Sequence, residues 1–424
     1  MKLLRSLNDS TTEQVDRSGG GTPGSITAAL RHHPFRRVWL GQLTSNTGSW
    51  MQNVVLGILA YELTGAAWFV GVLTFAQLGP MLLLSPWGGV LADRFDRRRL
   101  LVAIAGTQLV LSLALAVVVV DPTPSKFLIT LLVGAIGIGA ALYVPILTAT
   151  IPALVGRRDL QGAVALNSLA LNGSRIVGPL VGGLLAATLS TSAVFVVNAG
   201  SFLVAIWAVA TVRVDLRPVE RVRSSPISEL RSGFRAAAGD RVILRVLTTI
   251  ATFSFFSLVF IYAMPVIASE RLGLDEFGYT VLFATFAVGT AAGALSAGSY
   301  LVQHDRWVVG RWALVVFTVG LTTLALSTSP VVAGVGAFVA GVCYFVVVTT
   351  LLTTLQLQTD DAVRGRVMGL WMMAWAGPVP VGALLAGPAI DTVGIVPVLL
   401  AGAVVALGLA VSLRHVRSEP PVPA

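Results

Sequence analysis

The stretch Gly89-Val90-Leu91-Ala92-Asp93-Arg94-Phe95-Asp96-Arg97-Arg98-Arg99-Leu100-Leu101 decides how the chain is read. It joins two long apolar runs, 67–91 and 100–120, through a loop too short to fold by itself. Four arginines and two aspartates sit in that loop. A tight basic connection between two membrane-length runs belongs on the cytoplasmic face, because Lys and Arg are retained there during insertion. An ordinary positive-inside loop would carry such arginines too, so the rest of the chain has to be weighed.

Composition supports the membrane reading. The 424 residues are 55% hydrophobic and only 12% charged, with a mean hydropathy of +0.83. A soluble chain carries about 25% charged residues, so the apolar excess fits a polytopic membrane protein. The net charge of +9 then marks the basic inner side of a bilayer protein rather than a nucleic-acid surface. Cys343 is the single cysteine, which excludes an internal disulfide. His32, His33, His304 and His415 form no metal-ligand spacing, and no metal or other cofactor is expected. Gly19, Gly21 and Gly24 match a dinucleotide fingerprint in form only, since no strand precedes them and no helical pattern follows. A phosphate-cradling G-x-x-x-x-G-K-[ST] loop does not occur, so nothing suggests ATP hydrolysis. Residues 1–30 lack the apolar core of a signal peptide, and the first membrane run is expected to act as an uncleaved anchor.

Twelve apolar runs follow, near 38–61, 67–91, 100–120, 127–151, 162–187, 192–212, 243–267, 278–301, 308–327, 330–355, 367–390 and 394–413. Each is long enough, at about 1.5 Å per residue, to cross roughly 30 Å of hydrocarbon. With the N-terminus inside, all but three of the 29 Lys and Arg fall on the cytoplasmic side; the exceptions are Lys126, Arg271 and the in-span Arg175. That asymmetry fixes the orientation and puts both termini in the cytoplasm. The expected organisation is a cytoplasmic tail (1–34), a six-helix half (35–212), a cytoplasmic central loop (213–242), a second six-helix half (243–413) and a short tail (414–424). Within the loop, 227–235 alternates apolar and charged positions at helical spacing, as either a surface amphipathic helix or a solvated linker. The halves echo each other: Gly178-Pro179 with Gly182 and Gly183 in the fifth run, Gly377-Pro378 with Gly382 in the eleventh. Parallel repeats about an axis along the membrane normal have this form.

Several separated motifs carry a family resemblance. Gly89, Leu91, Ala92, Asp93, Arg94, Arg97 and Arg98 fall on the loop signature G-x-L-A-D-R-x-G-R-[RK] of major facilitator superfamily transporters. Asp96 replaces its second glycine, and Asp tolerates the left-handed region better than most residues. The Gly178–Gly183 run resembles the second half of the helix-5 motif of drug/proton antiporters, although Ala165 and Ser174 stand where further glycines are usual. Arg364-Gly365-Arg366-Val367, Tyr61-Glu62-Leu63-Thr64-Gly65 and Phe35-Arg36 with Trp39 and Gly41 resemble the branch of enterobactin exporters and related multidrug efflux proteins. The resemblance implies an all-α fold of twelve transmembrane helices in two pseudo-symmetric bundles, in a bacterial inner membrane, working as a monomer without nucleic acid. It implies secondary export of an amphipathic small molecule such as a drug, siderophore or secreted metabolite, by alternating access. Import of a sugar or other nutrient is the main rival, and a non-transporting receptor or scaffold the weaker one. A membrane enzyme would need an intramembrane His, paired carboxylates or a Cys with such partners; the runs hold no His and no Asp or Glu, and Cys343 in the tenth run stands without them.

The resemblance also implies a gate formed by Gly89, Asp93, Arg94, Arg97 and Arg98 with Arg364 and Arg366 at the start of the eleventh run. Asp93 is expected to meet that helix start when the cavity is closed to the cytoplasm. Gly178, Pro179, Gly182 and Gly183 are expected to bend the fifth helix and let others approach.

Candidate substrate residues come from polarity inside the runs. Gln42, Asn46, Ser49 and Asn53 lie on one face of the first run, with Ser45 and Gln52 at its margins. Facing a cavity and gluing helices together are both open to such a stripe. Arg175 lies near the middle of the fifth run with Asn172 one turn before it; a charge there is costly unless hydrated or paired. It either faces the cavity or is satisfied by carbonyls freed near Pro179. Tyr143 is the polar feature of an uncharged fourth run, and Trp371, Met372, Met373 and Trp375 suit either an apolar pocket or core packing. No Asp or Glu lies deep in any run, so a proton as coupling ion is implied by the resemblance alone.

Overall fold

A computed structural model describes residues 25–156, 158–217, 234–235, 237–299, 304–360 and 363–413. The expected amphipathic segment 227–235 and the tails 1–24 and 414–424 fall wholly or largely outside them. Among the described residues the fold is all-helical. A short helix, Ile26–Arg31, leads into α1 (His33–Glu62), α2 (Ala67–Arg94), α3 (Arg97–Val118), α4 (Lys126–Val155), α5 (Leu160–Thr188) and α6 (Thr191–Ala210). Then come α7 (Arg241–Arg271), α8 (Glu276–Ser299), α9 (Arg306–Leu326), α10 (Pro330–Gln358), α11 (Arg364–Ala376 and Pro378–Val393) and α12 (Ile395–Ser412).

Eleven of these helices, α2 to α12, are long and apolar enough to cross a membrane. The chain is therefore a multi-pass membrane protein. The expected first span, α1, has the length, at 30 residues, but not the apolarity. The reason is local: Arg36 and Arg37 near its start and the Gln42–Asn53 stripe dilute its hydrocarbon side chains.

Sequence chemistry sets the helix ends. Asp96 caps α3, its carboxylate accepting from the Arg98 N–H at 2.9 Å. Its φ of −61° is ordinary extended backbone, so the left-handed allowance expected of this residue is not used. Ser125, Ser190, Asp240 and Asp305 cap α4, α6, α7 and α9 in the same way. Two π-turns, Phe253–Ser257 and Ile267–Arg271, interrupt α7 on either side of its middle segment, and α11 is interrupted at Gly377.

The helices pack in two sets. In the first, α1 lies against α5 and α6, α2 against α4, and α3 between α4 and α6. In the second, α10 lies against α8 and α9, and α9 against α12. The sets meet along α2 on α11 and α5 on α8. Without a hydrophobic driving force between helices in lipid, such contacts depend on small residues that let backbones approach. A Cβ on Gly71 would strike the Ala383 carbonyl, and one on Gly387 would come within 2.7 Å of the Trp68 Cα.

The interior of the first set is also held by a polar cluster. Asn198 Nδ2 donates to Gln52 Oε1 at 2.8 Å, as does the Ser112 hydroxyl at 3.1 Å. Ser201 donates to Asn198 Oδ1 at 3.1 Å, and all four residues are buried. Gln52 thus belongs to the α1–α3–α6 interior rather than to the margin of a cavity-facing stripe.

Candidate functional site

Between the two sets lies a cavity of about 320 Å³, with walls from α1, α2, α5, α7, α8, α10 and α11. Four residues singled out in the sequence reach it: Asn53 of α1, Arg175 of α5, and Met372 and Trp375 of α11. The Arg175 guanidinium carbon stands 5.3 Å from the centre of the Trp50 ring, a cation–π distance. One turn further along α1, Asn53 Oδ1 accepts a hydrogen bond from Gln77 Nε2 of α2. Trp50 also meets Phe283 of α8, ring centres 6.2 Å apart, and Phe283, Phe286 and Tyr344 continue the aromatic wall. Met81, Tyr262 and Tyr279 complete much of the remainder. Arg175 is the only charged side chain among the described lining residues.

The other candidates lie elsewhere. Asn46 is half-buried and accepts from Gln42 Nε2 at 2.7 Å, while its own Nδ2 is buried with no hydrogen-bond partner among the described residues. Ser49 is half-buried and does not line the cavity. Asn172 donates back to the Ser168 carbonyl at 2.9 Å, along its own helix. Tyr143 packs on a hydrophobic cluster that includes Phe35, Ala92 and Leu101, at the Arg94 end of the first set. Trp371, 3% exposed, is a core residue, whereas Trp375 one turn later reaches the cavity.

Trp50, Gln77 and the three tyrosines were not signalled by the stripe on α1. Gln77 had a signal: it is the lone amide in the apolar run of α2. The aromatics had none, since a ring facing a cavity and a ring facing a core look alike in sequence.

The glycine motif of α5 works by close approach. The helix runs without interruption through Pro179, from Leu160 to Thr188. A Cβ on Gly178 would come 2.8 Å from the Thr47 carbonyl of α1, and one on Gly182 2.9 Å from the Met51 Cα. Gly183 faces the other set, where a Cβ would collide with the Thr280 side chain of α8. Arg175 therefore sits on a helix fixed against α1 below the point where α5 meets α8.

Hydrogen bonds join the two sets at the Glu62 end of the bundle. Tyr61 donates to Glu270 at 2.9 Å, and Asp391 of α11 accepts from the backbone of Ala67 and Trp68. Glu62 stands beside Glu276 at the same seam; loss of water around its carboxyl, then the charge of Glu276, raises its pKa to about 7. At the opposite end, Asp93 is 65% exposed and pairs with Arg97 of its own loop at 3.8 Å, not with Arg364 or Arg366. Gly89 has open space around it, and Arg94 ends α2. Arg97 donates to the Ala92 and Ala149 carbonyls, and Arg98 to the Val214 carbonyl, so these two arginines tie helix ends together.

Residues 24–422 match a family described as transmembrane secretion effectors of the major facilitator type. The chain belongs to that family. It is a major facilitator transporter, not an enzyme. Among its relatives, the enterobactin exporter EntS of Shigella boydii serotype 4 is 28% identical over 270 residues, 63% of this chain and 64% of that protein. EntS of Escherichia coli O1:K1 matches with the same identity and coverage. The match thus spans less than two thirds of those exporters' length. Solved structures share the fold: the nucleoside transporter NupG aligns with a TM-score of 0.72 at 11% identity, covering 90% of this chain and 98% of its own. A bacterial homologue of the human lysosomal transporter Spinster, in an inward-facing and unoccupied conformation, gives 0.70 at 15% identity, covering 90% and 96%.

Proposed function

We propose that this transporter exports an amphipathic small molecule from a bacterial cytoplasm by alternating access, as a monomer of twelve membrane-crossing helices with both termini inside. The observation that carries the reading is the cavity walled by both helix sets, mostly apolar, with a few converging polar groups. Pockets for drug-like molecules have that composition. A sugar site would be expected to present many hydrogen-bonding groups, so the aromatic wall weighs against the nutrient-uptake reading. In this reading α1 is the twelfth span, its polar residues turned to the cavity and the helix interior instead of lipid.

The Glu62 end is then the outside, and the seam of Tyr61–Glu270 and Asp391–Ala67 holds the outer mouth shut, an inward-facing state. Similarity to exporters of enterobactin supports efflux of a cell product. Protons are the proposed coupling ion, and with no acid lining the cavity the Glu62–Glu276 pair is the place where a proton would act. The test is transport in inside-out vesicles: a candidate compound should accumulate inside them when the interior is made acidic, and uptake by intact cells instead would overturn export.

A further inference from the structure

We propose that the cavity takes an organic monoanion, a carboxylate on a flat apolar body, with the anion on Arg175 and the body along Trp50 and the Phe283–Phe286 wall. The proposal rests on the cavity being the substrate site and narrows what that site accepts.

Charge is the first ground. Arg175 is the only charged side chain among the described residues that line the cavity, and no carboxylate lines it. It meets the Trp50 ring at 5.3 Å and stands within electrostatic reach of Tyr262 across the cavity. A π face attracts a cation but supplies no acceptor for the five N–H donors of a guanidinium. None of the described residues accepts a hydrogen bond from it, and the half-buried side chain lines the cavity. A planar fork of donors facing apolar walls matches a carboxylate, which accepts two parallel N–H bonds. One cation neutralises one negative charge. A dianion would leave an unpaired charge among rings and methionines, and a cation would meet like charge, so both are disfavoured.

Shape and the remaining polar groups narrow the class. About 320 Å³ is near the lower end of ligand pockets, which run from about 300 to 1,000 Å³. One N–H of Gln77 Nε2 is engaged by Asn53 Oδ1, which leaves its second N–H and Asn53 Nδ2 as donors and Gln77 Oε1 as an acceptor. Trp50 and Asn53 are one helical turn apart, so this amide pair lies beside the anion site. It suits a hydroxyl or secondary amide neighbouring the carboxylate.

Two probes of one shape test the class: naphthalene-2-carboxylate and naphthalene-2-carboxamide, titrated calorimetrically into the full-length protein in lipid nanodiscs at pH 7.5. The carboxylate should bind at least about tenfold tighter than the amide, and naphthalene-2,6-dicarboxylate should bind more weakly than the monoanion. Arg175→Gln should erase the carboxylate preference, and Arg175→Lys should keep part of it. Equal binding of carboxylate and amide by the parent, no carboxylate binding, or a preference that survives Arg175→Gln would each overturn the proposal. Ala376 of α11 also lines the cavity, and Ala376→Trp, which would fill it, separates the two layers. If parent binding is equal for both probes and lost in Ala376→Trp, the cavity stands as the site and the anion class falls. If Ala376→Trp leaves carboxylate binding unchanged, the cavity itself is not the site. The comparison of probes on the parent depends on no variant folding.

Discussion

Asp391 caps a helix of the opposite set: its carboxylate accepts the backbone N–H groups of Ala67 at 2.6 Å and Trp68 at 2.9 Å, at the start of α2. The residue in the N-cap position of α2 is Ala66, which has no side chain able to do this. A helix start leaves N–H groups unsatisfied and carries partial positive charge, so a carboxylate there is stabilising. Because donor and acceptor lie on different helix sets, opening of the Glu62 end under the proposed alternating access would break the bond. Loss of a cap costs about 1 kcal/mol, or about fivefold in a two-state ratio. Thr74 of α2 lines the cavity, so Asp391→Ala should raise the outside labelling of Thr74→Cys, in a Cys343→Ala background, by about fivefold with a membrane-impermeant thiol reagent. Unchanged labelling would remove Asp391 from the gate.

The same seam should respond to pH. Glu62 of α1 faces Glu276 of α8, with Glu270 bonded to Tyr61, and Asp275, Asp391 and Arg271 at the same end. Its pKa, raised from 4.5 to about 7, means that the closed seam holds the proton more tightly than a solvated carboxyl would. The contribution to closure is complete below about 4.5 and is lost as pH rises through 7. Outside labelling of Thr74→Cys should climb between pH 5 and about 8 in the parent. Only the thiolate reacts, so labelling of any thiol rises over this window; relative to a free thiol treated alike, Glu62→Gln, which stays neutral, should show no further rise, and a corrected profile identical to the parent's would assign the pH response elsewhere.

Two neighbouring glycines should behave differently on substitution. Gly182 abuts the backbone of Met51 within one helix set, so a valine there has nowhere to go, and overpacking costs typically about 1–3 kcal/mol. Gly183 abuts the Thr280 side chain across the seam, where the two sets can separate. Gly182→Val should lower the melting temperature and the amount of protein in the membrane. Gly183→Val should accumulate near parent levels but label more readily from outside. Equal loss of stability in both would show that the α5–α8 contact is as rigid as the α5–α1 contact.

Much of the fold was legible because membrane physics writes long signals. The apolar runs and the arginine-rich loop gave helices α2 to α12 within a few residues, whereas Asp96, expected as a turn residue in place of glycine, caps α3 instead. The site was legible only in part. Arg175 stood out since a mid-span charge has few bland explanations, and it lines the cavity. The stripe on α1 left two roles open because hydrogen-bonding residues serve interiors as well as cavities, and both occur: Asn53 reaches the cavity, while Gln52 is buried among Ser112 and Asn198. Trp371 and Trp375 differ by one turn, and a break at Gly377 follows them, so periodicity could not say which ring reached the open space. Asp391 was visible only as an acid at a span end; its partner lies 324 positions away along the chain.

The pairing of α2 with α11 suggests a reciprocal latch. These helices run antiparallel, since Trp68 packs on Gly387, Gly71 on Ala383 and Leu82 on Gly377. Each carries an aspartate near its C-terminal end: Asp391 on α11, already seated on the start of α2, and Asp93 on α2. The start of α11 has Val363 in the N-cap position, with no side-chain cap, and Asp93 is mostly exposed with only a 3.8 Å contact to Arg97. When the Arg94 end closes and the Glu62 end opens, Asp93 would take up on α11 the role that Asp391 gives up on α2. Substituting each aspartate by asparagine weakens one latch while leaving the loop's arginine anchors in place. Exposed pairs are worth roughly 0–1 kcal/mol, so Asp93→Asn should not affect folding. Arg97→Gln is the contrasting control: it removes bonds to the Ala92 and Ala149 carbonyls and should reduce the amount of folded protein. On the Thr74→Cys reporter, Asp391→Asn should increase outside labelling and Asp93→Asn should decrease it. If both act on one two-state equilibrium, their free energies add, and the double variant should return to within about twofold of the parent. A double variant that labels like Asp391→Asn alone would mean that Asp93 never reaches α11, and the latch would then exist at one end only.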